Sequence, residues 1–130
     1  MDLITISRRE GLAFDIRVRH HTVTSDMSPA DGGRDEGLAP VELLAGSLGA
    51  CIAMMVQRYC DSCGHGDGEV AVSLTLELAD QPKRIGAIIV DVELPDGVPA
   101  SRRDAVLRVA EQCVIHGTLQ NPPRVDVEIL

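Results

Sequence analysis

The chain has 130 residues, the size of one ordinary domain able to bury its apolar side chains without disulfide or metal staples, so a single domain over 1–130 is expected. Hydrophobic residues make up 45% and charged residues 25%, which excludes a disordered or repetitive chain. The net charge of −8 weighs against any nucleic-acid partner, because that binding rests on Lys and Arg neutralising phosphates.

Phe14 and Tyr59 are the only aromatic residues, so the core has to be built from Val, Leu, Ile, Ala and Met. The opening MDLITISRRE has no basic segment followed by an apolar stretch and does not read as a secretory signal. Alternation in Leu3-Ile4-Thr5-Ile6 and again over Ala13–Val18 predicts two strands turning around Arg9-Glu10-Gly11. Residues 21–39 hold Asp26, Pro29, Asp31, Gly32, Gly33, Asp35 and Gly37, a density of turn formers that predicts a long loop. Pro40 suits the first turn of a helix, and Glu42 suits the positive end of its dipole. Residues 43–56 are apolar on every side, so this central helix needs protein all round it. At 14 residues the run is shorter than the roughly 20 that span a bilayer, and no membrane partner is expected.

The polar stretch 61–68 is expected to end that helix. Residues 70–78 and 85–94 predict long antiparallel strands separated by Asp80-Gln81-Pro82. Ser101 and Asp104 resemble a capping box opening a second helix that Gly117 closes, and residues 125–130 alternate as a last strand. The order β-β-α-β-β-α-β implies an α+β fold, with helices packed on antiparallel or mixed sheets.

Helical spacing puts Leu44, Leu48, Cys51 and Met55 on one stripe, and Val106, Val109, Ala110 and Cys113 on another. Both cysteines then point inward, where a thiol commonly acts as a small hydrophobe. Spacing alone leaves open whether they meet. With no export signal the chain is read as cytoplasmic, where Cys51, Cys60, Cys63 and Cys113 are thiols with packing, metal or redox roles rather than permanent disulfides.

The run Gly32-Gly33-Arg34-Asp35-Glu36-Gly37-Leu38-Ala39-Pro40-Val41-Glu42-Leu43-Leu44-Ala45-Gly46-Ser47-Leu48-Gly49-Ala50-Cys51 resembles the signature of the OsmC/Ohr family of thiol peroxidases. There a glycine-rich loop leads through Pro-x-Glu-Leu-Leu into a small-residue helix ending at the reactive cysteine. The later stretch Ala110-Glu111-Gln112-Cys113-Val114-Ile115-His116-Gly117-Thr118-Leu119 resembles the family's second cysteine motif.

The resemblance implies an intertwined homodimer around a buried central helix, with its sites at the interface. It implies reduction of organic hydroperoxides without a cofactor, with a lipoylated protein or small dithiol as reductant. Carried over, Cys51 is the peroxidatic cysteine and Cys113 the resolving one, joined in a disulfide during the cycle. The family lowers the thiol pKa with an Arg held by a Glu. Arg9, in a turn like the Ohr branch's Arg-Asp-Gly, is the candidate cation, with Arg17, Arg19 and Arg34 as competitors. Glu42 is the candidate carboxylate, although it stands nine residues before Cys51 and Val41 fills the place ten before, where the Ohr branch has its Glu. Val114 stands where the family usually has Pro. Met54 and Met55 are candidate lining for an aliphatic site, and His20, His21 or His116 are candidates to border it.

Cys60-Asp61-Ser62-Cys63 has the spacing of a redox or zinc pair, with His65 nearby. It falls at a helix end, where the dipole opposes a thiolate, and lacks a local fourth ligand, so no metal is expected. Two readings compete with the peroxidase. One is a non-catalytic small-ligand binder with an apolar interface cavity, and the other is a redox or metal module built on Cys60 and Cys63.

Overall fold

The computed structural model describes residues 1–65 and 68–130; Gly66 and Asp67, in the stretch expected to end the central helix, lie outside them. The architecture is α+β, with small antiparallel sheets and helices, as the sequence implies. The chain forms two compact units, Met1–Ala45 and Gly46–Leu130.

The first unit carries a three-stranded antiparallel sheet in the order β1 (Thr5–Glu10), β2 (Ala13–Val18), β3 (His21–Ser25). The expected hairpin is present, turning at Gly11 with φ +57°. A third strand replaces the start of the expected loop. His21-Thr-Val-Thr-Ser is rich in β-branched residues, and Arg19, with φ 54°, makes the tight turn back from β2. Pairing of Thr5 with Arg17, and of Asp15 with Ser7 and Thr24, gives one sheet face polar residues, while Ile6, Ile16 and Val23 pair on the other.

The rest of the loop is folded around Asp26. This buried carboxylate, 3% exposed, accepts the backbone N–H groups of Met27, Arg34 and Glu36 at 2.7, 3.2 and 3.2 Å. Ser25 Oγ and the Asp26 N–H both donate to the Leu38 carbonyl, closing the loop on β3. Gly33 and Gly37 are required by contact: a Cβ there would stand 2.0 Å from the Met27 oxygen or 2.1 Å from the Thr24 oxygen.

Helix α1 (Pro40–Ser62) is 23 residues long, extending past the expected apolar run. By length and mean hydropathy it meets the criterion for crossing a membrane. In the second unit its stripe Leu48, Ile52, Val56 and Cys60 is buried with Val106, Ala110 and Cys113, and Val72, Leu74, Ile88 and Val90 pack against it. That is core packing. The buried stripe lies one position over from the expected one, leaving Cys51 half-buried at its edge and Leu44 and Met54 exposed.

Strands β4 (Ala71–Ala79) and β5 (Arg84–Glu93) form an antiparallel ribbon whose alternating residues face the helices. The expected second helix is two helices, α2 (Arg103–Glu111) and α3 (Val114–Gln120), with Gly117 inside α3 rather than closing a helix. No side-chain cap forms at the start of α2; a short 3₁₀ turn, Ala100–Arg102, leads into it instead. Among the described residues, 125–130 pair in no ladder, so the expected last strand is not formed and the alternation there marks two faces of an extended segment.

Candidate active site

The site is assembled where α1 meets the junction of α2 and α3. Gly49, buried on α1, lets that helix lie against β4, since a Cβ there would be 2.6 Å from Leu74 Cδ1. Half a turn on is Cys51. After Gln112 the backbone leaves helical geometry at Cys113, with φ −57° and ψ 132°, and restarts as α3. Cys113 is the N-cap of that helix: its Sγ accepts the His116 N–H at 3.4 Å, a sulfur where Ser or Asp usually supplies oxygen.

The break brings Cys51 and Cys113 together as free thiols and turns the first N–H groups of α3 toward Cys51. Their environments drive the two sulfurs apart. Burial pushes the Cys51 thiol up, but hydrogen bonds from the Cys113 thiol and from the N–H groups of Ile115 and Val114 outweigh it and hold Cys51 below the ordinary value. Cys113 is pushed up by burial and by donating to Cys51, with partial relief from the His116 and Ile115 N–H groups. The surroundings thus push the two thiols in opposite directions, Cys51 toward the thiolate and Cys113 toward the thiol.

The four arginine candidates all have carboxylate partners in the first unit. Arg9 Nε lies 3.2 Å from Asp15, and Arg17 Nη2 lies 2.9 Å from the same carboxylate. Asp15 is 5% exposed, and its carboxyl is held low by the Thr24 hydroxyl at 2.8 Å, against burial, and then by Arg9 and Arg17. Arg19 is 3.9 Å from Asp2, and Arg34 is 3.1 Å from Glu10. Glu42 Oε1 accepts the Ala39 N–H at 2.8 Å, the returning half of a capping box at the start of α1.

Met55 is half-buried and Met54 is exposed; His20 and His21 stack on each other at 4.0 Å between centroids, outside the second unit. Cys60 is a core residue whose thiol is raised by burial and by Asp61 and Cys63, while Cys63 is exposed. Among the described residues no three His, Cys, Asp or Glu side chains are placed to hold a metal.

Sequence reasoning missed the backbone donors of Val114 and Ile115, and the carboxylates of Asp15 and Asp26. The spacing Cys113-x-x-His116 carried a signal for the first, because cysteine is isosteric with the serine that opens helices.

The family model for OsmC-like proteins matches residues 33–128, more than half of the chain. The chain belongs to the OsmC-like family. Several solved structures share its fold. An OsmC-like protein from Mycoplasma pneumoniae superposes with a TM-score of 0.79 at 17% identity, covering 94% of this chain and 89% of that one. A Psychrobacter arcticus protein, provisionally described as an osmotic stress induced and detoxification response protein, gives 0.81 at 15% identity, with 91% and 88% covered. A Legionella pneumophila protein, named as organic hydroperoxide resistance protein OsmC and predicted redox protein, gives 0.64 at 14% identity, with 92% and 89% covered. At such identities these OsmC-like neighbours show the fold alone. No curated protein matches the chain.

Proposed function

We propose that this OsmC-like protein is a thiol-dependent peroxidase for organic hydroperoxides. The observation that carries the proposal is the depressed Cys51 thiol beside the raised Cys113 thiol. The Cys51 thiolate attacks the outer peroxide oxygen, the O–O bond breaks, and the alkoxide takes a proton and leaves as the alcohol. Cys51 is then a sulfenic acid. Cys113 attacks that sulfur, an S–S bond forms, and the oxygen departs as water. An external dithiol, small or carried on a lipoylated protein, reduces the disulfide and completes the cycle.

Arg9 is the proposed cation for the site. Its Nε is engaged by Asp15, while its terminal nitrogens have no partner among the described residues. Glu42 is assigned to capping α1 and, through that, to presenting Cys51. A second copy of the chain is the proposed cover for the exposed apolar side chains Leu44 and Met54. Four free thiols fit a reducing compartment, so the proposed location is the cytoplasm.

Consumption of cumene hydroperoxide with dithiothreitol or dihydrolipoamide tests the reading. Cys51→Ser is expected to abolish consumption, and Cys113→Ser to permit one oxidation of Cys51 before stalling. Turnover unchanged by both substitutions would remove the proposal. Ligand-dependent thermal stabilisation with no turnover would transfer the fold to a binding role.

A further inference from the structure

The first turn of α3 holds three backbone donors that the helix does not use. Its first internal hydrogen bond runs from the Gly117 N–H to the Cys113 carbonyl at 3.0 Å, so the N–H groups of Val114, Ile115 and His116 have no partner within the helix. All three end on sulfur. The His116 N–H donates to Cys113 Sγ at 3.4 Å, the Ile115 N–H is shared between Cys113 and Cys51, and the Val114 N–H donates to Cys51.

Val114 differs from its neighbour in how little else it does. It is 71% exposed, whereas Ile115 packs against the core. The backbone here already has the course that a proline would impose: Val114 opens the helix, and Cys113 before it is extended at φ −57° and ψ 132°. Valine therefore adds one thing that proline, the family's usual residue at this place, lacks, which is a main-chain N–H. A donor to the reacting sulfur acts in two opposed ways. It enlarges the fraction of Cys51 present as thiolate, and it makes that thiolate a weaker nucleophile, because reactivity follows basicity with a slope of slightly under one half. Below the pKa the first effect is the larger and the donor speeds reaction. Above it only the second remains.

We propose that the main-chain N–H of Val114 is a catalytic group of this site, donating to the Cys51 sulfur as that sulfur attacks its substrate. In the peroxidase cycle, on whose reading the substrate rests, the charge held on sulfur passes to the departing alkoxide as the S–O bond forms and the O–O bond breaks, and the alkoxide takes a proton. The group belongs to the backbone, so every residue except proline supplies it.

Val114→Pro removes the N–H and keeps the course of the chain. Iodoacetamide modifies Cys51 without peroxide, and its rate is followed at Cys51 by mass spectrometry across pH. Loss of a hydrogen bond to a charged group is expected to raise the apparent pKa of Cys51 by about one pH unit. The variant is then about threefold slower at pH below both pKa values and about threefold faster on the alkaline plateau, so the two curves cross. Curves that superpose, or a variant slower at every pH, overturn the inference. Should Val114→Pro fail to fold, the amide resonance of Val114 in the wild type decides the matter. It is expected to move with the titration of Cys51 and to lose that movement in Cys51→Ser; an amide indifferent to Cys51 ionisation overturns the inference. If peroxide leaves wild-type Cys51 unoxidised while the alkylation curves still cross, the peroxidase reading falls and the donor role stands.

Discussion

At Cys51 the question is which groups hold the negative charge. The sequence points to an arginine, but the structure supplies the Cys113 thiol and two backbone N–H groups, which oppose the cost of burial. Alkylation rate against pH, followed at Cys51 by mass spectrometry, is expected to give an apparent pKa below the ordinary thiol value of about 8.5. Cys113→Ala removes a donor and is expected to raise that pKa, whereas Cys113→Ser keeps an O–H in place and is expected to keep it low. An apparent pKa in Cys113→Ala equal to the wild type would mean that the thiol contributes nothing. Asp26 gives a second residue-scale expectation. Burial raises its carboxyl, but three N–H groups overcome this and hold it below the reference of 3.8. A depressed carboxylate stabilises the fold at pH above its unfolded value, and that contribution fades as pH falls below about 4 through the lower folded pKa. Asp26→Asn is therefore expected to lower the urea midpoint at pH 7 and flatten its fall on the acid side; parallel curves for the two proteins would contradict this.

Among the elements, the meeting of α1 with β4 rests on Gly49. A Cβ there reaches 2.6 Å from Leu74 Cδ1, a terminal methyl, and ordinary distances from everything else. Gly49→Ala is expected to cost about 1–3 kcal/mol, as overpacking does, and Leu74→Val, which removes that methyl, is expected to recover part of the loss. Additive losses in the double mutant, measured by urea unfolding, would place the strain elsewhere. The same scale shows what was legible in the sequence. The hairpin, α1 and the β4–β5 ribbon each carry a clear period, and the motif resemblance pointed to Cys51 and Cys113, which the structure brings together. Strand β3 was hidden because its five residues run straight into the turn formers organised by Asp26, whose bonds are to backbone and leave no periodic trace. The α2–α3 break was hidden because neither Gly nor Pro marks it; a cysteine sulfur and the extended backbone at Cys113 make it. The buried stripe of α1 was misplaced by one position because the helix is apolar on every side, so periodicity gives no phase.

For the molecule as a whole, the apolar surface left on a single chain is the main constraint. Met54 is 68% exposed and Ile6 59%, and the alternating tail exposes Val125, Val127 and Ile129. A homodimer is expected by light scattering at micromolar concentration, and a clean monomer there would overturn the expectation. The tail of residues 121–130 has a further consequence. It is exposed throughout and pairs in no ladder among the described residues, so on a solitary chain this segment offers proteases an accessible stretch of backbone. If assembly covers that stretch, the lifetime of a newly made subunit depends on how soon it meets its counterpart.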